Sequence, residues 1–150
     1  MKGKKHMDYR IQHACITYIA CRLITGKSPA FLFDLETSEE MEVAGVLDID
    51  FLREFDEKHR DYIPGFASNC TCQYTADSDF VLNIFINEKT FIVHLSGSAA
   101  YFIGNLRNDT IYLYDHYKSA HFRYRITAYI EDHKKEEKPK VNVMYEDDED

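Results

Sequence analysis

The sequence predicts an α+β protein: an antiparallel multistranded sheet, a meander in its C-terminal half, with about two helices packed on one face. Three observations predict it. Between Phe80 and Ile130 apolar and polar residues alternate with period two. Short polar breaks interrupt that alternation at hairpin spacing. Upstream, two segments carry apolar residues at helical spacing instead.

In chain order, residues 8–25 are densely apolar, with Ile11, Cys15, Tyr18, Ile19 and Arg22 at helical spacing, Asp8 as cap and Gly26 as terminator. The β-branched Ile16, Thr17 and Ile19 keep a strand in play. After the Ser28-Pro29 break, Ala30–Glu36 alternates as a strand, Thr37–Glu40 turns, and Met41–Leu47 returns as a second strand with a bulge or a close backbone contact at Gly45. Asp48 and Asp50 offer caps for a helix whose apolar stripe is Phe51, Leu52, Phe55 and Tyr62, stopped by Pro64-Gly65. Cys70–Thr75 is a short strand, and Ala76–Asp79 a turn.

The meander then sets Phe80, Leu82, Ile84 and Ile86 on one face, turns at Asn87–Lys89, and continues with Phe91, Val93 and Leu95 inward against Ile92 and His94. A second hairpin pairs 99–103 with 110–114 through a loop over 104–109. The last strand puts Phe122, Tyr124, Ile126, Ala128 and Ile130 inward, leaving Arg123, Arg125, Thr127 and Tyr129 to water.

A chain of 150 residues, 45% hydrophobic, buries about two-thirds of its extended surface in one core, whereas two domains of half the size would each be marginal. The expected organisation is a basic N-terminal tail over 1–7, one domain over 8–130, and an acidic flexible tail over 131–150. Met1–Met7 carries charge without the apolar stretch of an export signal, and no run approaches the roughly 20 residues of a spanning helix. The expected compartment is the cytoplasm, with four reduced cysteines. Asn69-Cys70-Thr71 and Asn108-Asp109-Thr110 match the glycosylation pattern but lack a signal to act on.

The net charge of −8 is unevenly placed. Residues 1–27 are basic, whereas Asp34–Asp61 sets eleven acids against Arg53, Lys58 and Arg60, and the last twenty residues are again acidic. That map disfavours nucleic acid and anionic membranes and favours a partner protein with a basic surface.

The chemistry-bearing clusters are sparse. His94, Asp115, His116 and His121 would make a zinc site if neighbouring strands paired, though the last three also read as a polar hairpin tip. Cys70-Thr71-Cys72 puts two thiols on one strand face, as buried small hydrophobes, metal ligands, a strained redox pair, or a nucleophile beside a histidine. Cys15 and Cys21 read as core. His94 and Ser96 lack an orienting acid and a nucleophile elbow. Asp48/Asp50 and Asp77/Asp79 read as caps and turns rather than cation sites.

The function expected is therefore that of a small protein-binding module of adaptor, inhibitor, immunity or chaperone type, without catalysis or a cofactor. Two surfaces are nominated: an acidic band of Glu39, Glu40, Glu54, Glu57 and Asp61, and a sheet face carrying Arg123, Arg125 and Tyr129. The alternatives are a zinc-binding protein or metal-dependent hydrolase using the His/Asp cluster, and single-strand nucleic-acid binding on the Arg/Tyr face. An exposed edge strand also admits a homodimer.

Overall fold

The computed structural model describes residues 9–64, 68–75, 79–97 and 101–130. Eight strands form one sheet in which every neighbouring pair is antiparallel: β1 (Pro29–Asp34), β2 (Glu39–Glu42), β3 (Ser68–Tyr74), β4 (Phe80–Asn87), β5 (Thr90–Leu95), β6 (Tyr101–Arg107), β7 (Thr110–Asp115) and β8 (Ala120–Tyr129). Their spatial order is β2-β1-β8-β7-β6-β5-β4-β3, so β3 to β8 form the expected meander and the β1/β2 hairpin joins beside the last strand. Helices α1 (Tyr9–Thr25), α2 (Val43–Val46) and α3 (Ile49–Lys58) complete the α+β arrangement.

The segment that sequence left between helix and strand is helical. Residues 12–21 of α1 are all buried, including the β-branched Ile16, Thr17 and Ile19. Tertiary burial, at about 1.5–3 kcal/mol for each large apolar side chain, outweighs propensity differences of a few tenths. Gly26 ends the helix with φ +83°, where its N–H reaches the Arg22 carbonyl at 2.8 Å and a Cβ would press on the Pro64 ring. The expected Asp8 cap lies outside the described residues.

Met41–Leu47 departs from expectation. The strand stops at Glu42, and Val43–Val46 coils into one helical turn closed by the Leu47 N–H on the Val43 carbonyl at 2.8 Å. Val43 is thereby buried against the core, and Gly45 sits in an exposed turn rather than a bulge. Asp48 caps α3 as expected, its carboxylate accepting the Phe51 N–H at 3.1 Å.

Helix α3 runs antiparallel to β3. Tyr74 accepts the Asp48 N–H at 3.0 Å and meets Phe51 edge-on, His59 lies over Cys70, and Tyr62 bonds Ser68 at 2.6 Å. Yet Asp56 on the same helix accepts from Tyr18 of α1 at 2.7 Å and from Ser28, just before β1. One helix touches both the β3 border and the lead into β1, so the sheet curls about α1 and α3 spans the opening. That enclosure explains why α1 is buried nearly all round.

Gly104, expected in a six-residue loop, lies inside β6. It pairs with Phe91, and the turn shrinks to Asn108-Asp109 with Asn108 at φ 55°. A Cβ at Gly104 would come within 2.6 Å of the Tyr112 carbonyl oxygen and enter the Phe91 ring, so this close approach requires glycine. In β8 the alternation breaks after Ile126, because Leu32 pairs with Ile126 but Phe31 with Ala128, leaving Thr127 as an extra residue. Thr127 and Ala128 are both exposed, and Tyr129 turns to pack against the core.

The inward set is Phe80, Leu82, Ile84, Ile86, Phe91, Val93, Leu95, Phe102, Leu106, Ile111, Leu113, Tyr124 and Ile126, all buried. Among the described residues no helix is long and apolar enough to cross a membrane. The expected tails, 1–7 and 131–150, lie outside the described residues.

Candidate functional site

The four residues nominated for zinc do not converge. Asp115 is 1% exposed on the inner face, where its carboxylate accepts His13 Nε2–H at 2.7 Å and the Lys118 backbone N–H at 3.0 Å. His94, His116 and His121 stand exposed, against Tyr101, Tyr101 and Tyr114 respectively. The pleat separates Asp115 from the three histidines, which face outward, since neighbouring positions on β7 face opposite sides. Among the described residues no three His, Cys, Asp or Glu side chains gather to hold a metal ion.

Asp115 belongs instead to a network that sequence could not assemble. His13, fully buried on α1, bridges Asp115 and the Tyr124 hydroxyl, which lies 2.6 Å from Nδ1. A carboxylate only accepts, so Nε2 carries a proton. Burial alone would raise the Asp115 carboxyl, but hydrogen bonds from His13 and from the Lys118 and Tyr117 backbone outweigh it, and the group is held below its ordinary value. Burial first, and then the Asp34 charge, pushes the Tyr124 phenol up, so it keeps its proton. Phe102 and Phe122 enclose the imidazole, and the network holds α1 against the sheet.

Among the described residues no helix covers the outer face of the sheet. Directly paired residues share a face, and the register places Phe85, Ile92, Ile103, Tyr114 and His121 in one row across β4 to β8. Phe85 is 47%, Ile92 42% and Ile103 45% exposed. Arg123 and Arg125 stand on this face beside the row; Arg123 Nε donates to Glu36 at 2.9 Å, and Arg107 stacks over Tyr112 at 4.4 Å. Tyr129, expected here, is carried to the other side by the β8 bulge, where its hydroxyl donates to Asp109 at 3.0 Å.

The acidic band divides between elements. Glu40 lies on the open face opposite Phe33, with the Thr127 hydroxyl at 3.3 Å. Glu39 pairs with the inward Asp34 and borders a cleft of about 250 Å³ shared with Arg10, Asp34 and Glu42. Glu54, Glu57 and Asp61 line the exposed side of α3 and its end, with Glu57 bridged to Arg60 at 2.9 Å.

At the β3 border, Cys70 Sγ lies 3.7 Å from His59 Nε2. His59 Nδ1 donates to the Phe55 carbonyl at 2.9 Å, and the ring lies on Phe55 at 4.1 Å between centroids, so its second nitrogen is aimed at the sulfur. Cys72 lies two residues on and faces the same way. The neighbouring Cys72 thiol, with His59 and Lys58 nearby, outweighs burial and lowers the Cys70 thiol to about 6, while Cys72 is pushed up. Cys15 and Cys21 are buried, and burial raises both thiols, Cys21 to about 11.

Ser96 is engaged by Asn83 at 3.2 Å rather than by His94, and Asp48 is spent on its cap. Asp77 lies outside the described residues. Sequence reasoning passed over His13, His59 and the outward apolar row; only the row left a signal, in the apolar outward positions of β4 and β5. Compared with protein-family models, with curated proteins and with solved structures, the chain matches none.

Proposed function

We propose that the protein is a protein-binding module that takes its partner on the open face of the sheet. The observation that carries this reading is the row Phe85, Ile92, Ile103 and Tyr114, three of whose members are more than two-fifths exposed. Scattered apolar residues on a surface are ordinary, but a row continuous over neighbouring strands is the kind of patch that interfaces bury. Seven strand spacings of about 4.8 Å by a strand length of about 20 Å make a face of about 700 Å², close to the roughly 800 Å² that one side of a standard interface covers. Tyr and Arg, the commonest interface anchors, are present as Tyr114 in the row and as Arg107 and Arg125 beside it. The partner surface that fits is apolar at its centre with acidic groups at its rim.

The test is affinity capture from native extract with mass spectrometry, comparing wild type with Ile92→Lys/Ile103→Lys and with Glu54→Lys/Glu57→Lys. The reading expects a partner retained by wild type and by the α3 variant and lost by the sheet variant. Retention by the sheet variant overturns it, and loss confined to the α3 variant moves the contact to the acidic band. Sedimentation of the purified chain separates a second copy from a foreign partner.

A further inference from the structure

We propose that Cys70, His59 and Cys72 form a thiol–disulfide exchange site that reacts with low-molecular-weight disulfides, Cys70 attacking and Cys72 resolving. The site lies at the β3 border, apart from the row on which the proposed partner docks. Three independent placements converge on it. The α3 terminus brings His59 Nε2 to 3.7 Å from Cys70 Sγ, with the Phe55 carbonyl fixing the tautomer that leaves Nε2 unprotonated in the neutral ring. The pleat of β3 sets Cys72 on the same side as Cys70. Both residues are only partly buried where they pack against the core, whereas Cys15 and Cys21 are fully buried.

The chemistry balances with the disulfide as the oxidant. The Cys70 proton passes to His59 Nε2, and the thiolate attacks one sulfur of R–S–S–R. A Cys70–S–S–R bond forms, the S–S bond of the reagent breaks as R–S⁻ leaves, and R–S⁻ takes the proton from the imidazolium. Cys72 then attacks Cys70 Sγ, its proton leaving with the second R–S⁻. The protein gains one disulfide, and R–S–S–R is reduced to two R–SH. Residues two apart on a strand have Cα atoms about 6.6–6.8 Å apart, the upper limit for a disulfide, so the product is strained and readily reduced. It is an exchanging bond rather than a structural staple.

The groups facing Cys70 are His59 and Lys58 from α3 and Cys72 on its own strand; Cys15 of α1 faces Cys72, and Ile84, paired with Cys70 on β4, is apolar. A thiol ionising near 6 has a larger thiolate fraction but a weaker nucleophile. The two effects leave about a twofold rate advantage over an ordinary thiol at pH 7, growing to about tenfold at pH 6. The pH profile is therefore the discriminating measurement.

The probe is glutathione disulfide, applied to the full chain, with site-resolved mass spectrometry and rates from pH 5 to 9. Expected are first modification at Cys70, a rate that levels off above about pH 6–7, progression to a Cys70–Cys72 disulfide in wild type, and a persistent mixed disulfide in Cys72→Ser. His59→Gln, its fold checked by circular dichroism, should move the inflection toward the ordinary thiol range. Equal labelling of Cys70 and Cys72, or a wild-type inflection near 8.5, overturns the proposal without reliance on any variant. A mixed disulfide that persists in wild type removes Cys72 as the resolving group. Partner capture, read separately, is unaffected by either result.

Discussion

Replacing His13 with leucine tests whether α1 is held to the sheet by a desolvated polar network. Leucine keeps most of the volume among Phe102 and Phe122, so the change removes two hydrogen bonds more than it opens a cavity. It leaves the 1%-exposed Asp115 carboxylate on backbone N–H groups alone, and the buried Tyr124 hydroxyl without the nitrogen that lies 2.6 Å away. Breaking a buried pair by removing one partner costs about 3–5 kcal/mol, and an orphaned buried hydroxyl about 1–3 kcal/mol. The two overlap, because Asp115 relieves part of its cost by taking a proton, so we expect about 4 kcal/mol. A domain of this size has only about 5–15 kcal/mol in all.

The assay is equilibrium urea unfolding at pH 7 followed by far-ultraviolet circular dichroism, reading the midpoint at constant slope. Tyr124→Phe should cost about 1–2 kcal/mol, and the double variant less than the sum of the singles by about 1 kcal/mol, because they share a hydrogen bond. A cost below about 1 kcal/mol for His13→Leu, or strict additivity, would refute the reasoning. The same network has an acid signature. Asp115 is held below its ordinary 3.8 in the folded protein, so its contribution is present above that value and disappears as pH falls through the folded one. Wild type should lose midpoint as pH falls below 3.8 more steeply than Asp115→Asn, which has no proton to take up.

Three other substitutions check the packing. Thr17 is fully buried on α1 with no hydrogen-bond partner for its hydroxyl among the described residues, so the isosteric Thr17→Val should raise stability by about 1 kcal/mol in the same urea assay. Gly104→Ala should destabilise by about 2–3 kcal/mol, because its methyl would collide with the Tyr112 carbonyl and the Phe91 ring directly across. Gly45→Ala, on an exposed helical turn where the nearest atom is a Glu42 side-chain oxygen at 3.6 Å, should be neutral or stabilising by up to about 1 kcal/mol by thermal melting.

What could be read in advance followed from periodicity. Leu82, Ile84, Phe91, Val93, Leu113 and Tyr124 are inward as their alternation requires, because a strand's pleat is a local property. The departures come from pairing between distant segments. The β8 bulge depends on how β1 lies against it, and nothing within Ile126–Tyr129 marks Thr127 as the extra residue. Met41–Leu47 reads as a strand until Val43 finds burial against α1 and β1. The His/Asp cluster failed for the same reason: Asp115 is claimed by His13, 102 positions earlier in the chain.

The open face was harder to foresee for a different reason. Along β4 to β6 both sides of the sheet are apolar, with Val81, Phe85, Ile92 and Ile103 outward against Leu82, Ile84, Val93 and Phe102 inward. Alternation separates the two sets without saying which one the helices cover. The choice follows from the ends of the chain segments: α1 must reach β8 and β7 to place His13 beside Asp115 and Tyr124, and α3 must reach β3 to lay Phe51 on Tyr74. Both requirements fall on one side, because Asp115, Tyr124 and Tyr74 are inward in register with the same core. The second apolar set is then left at the surface, where solubility alone would favour polar residues, and the proposed binding role would account for it without any change to the fold.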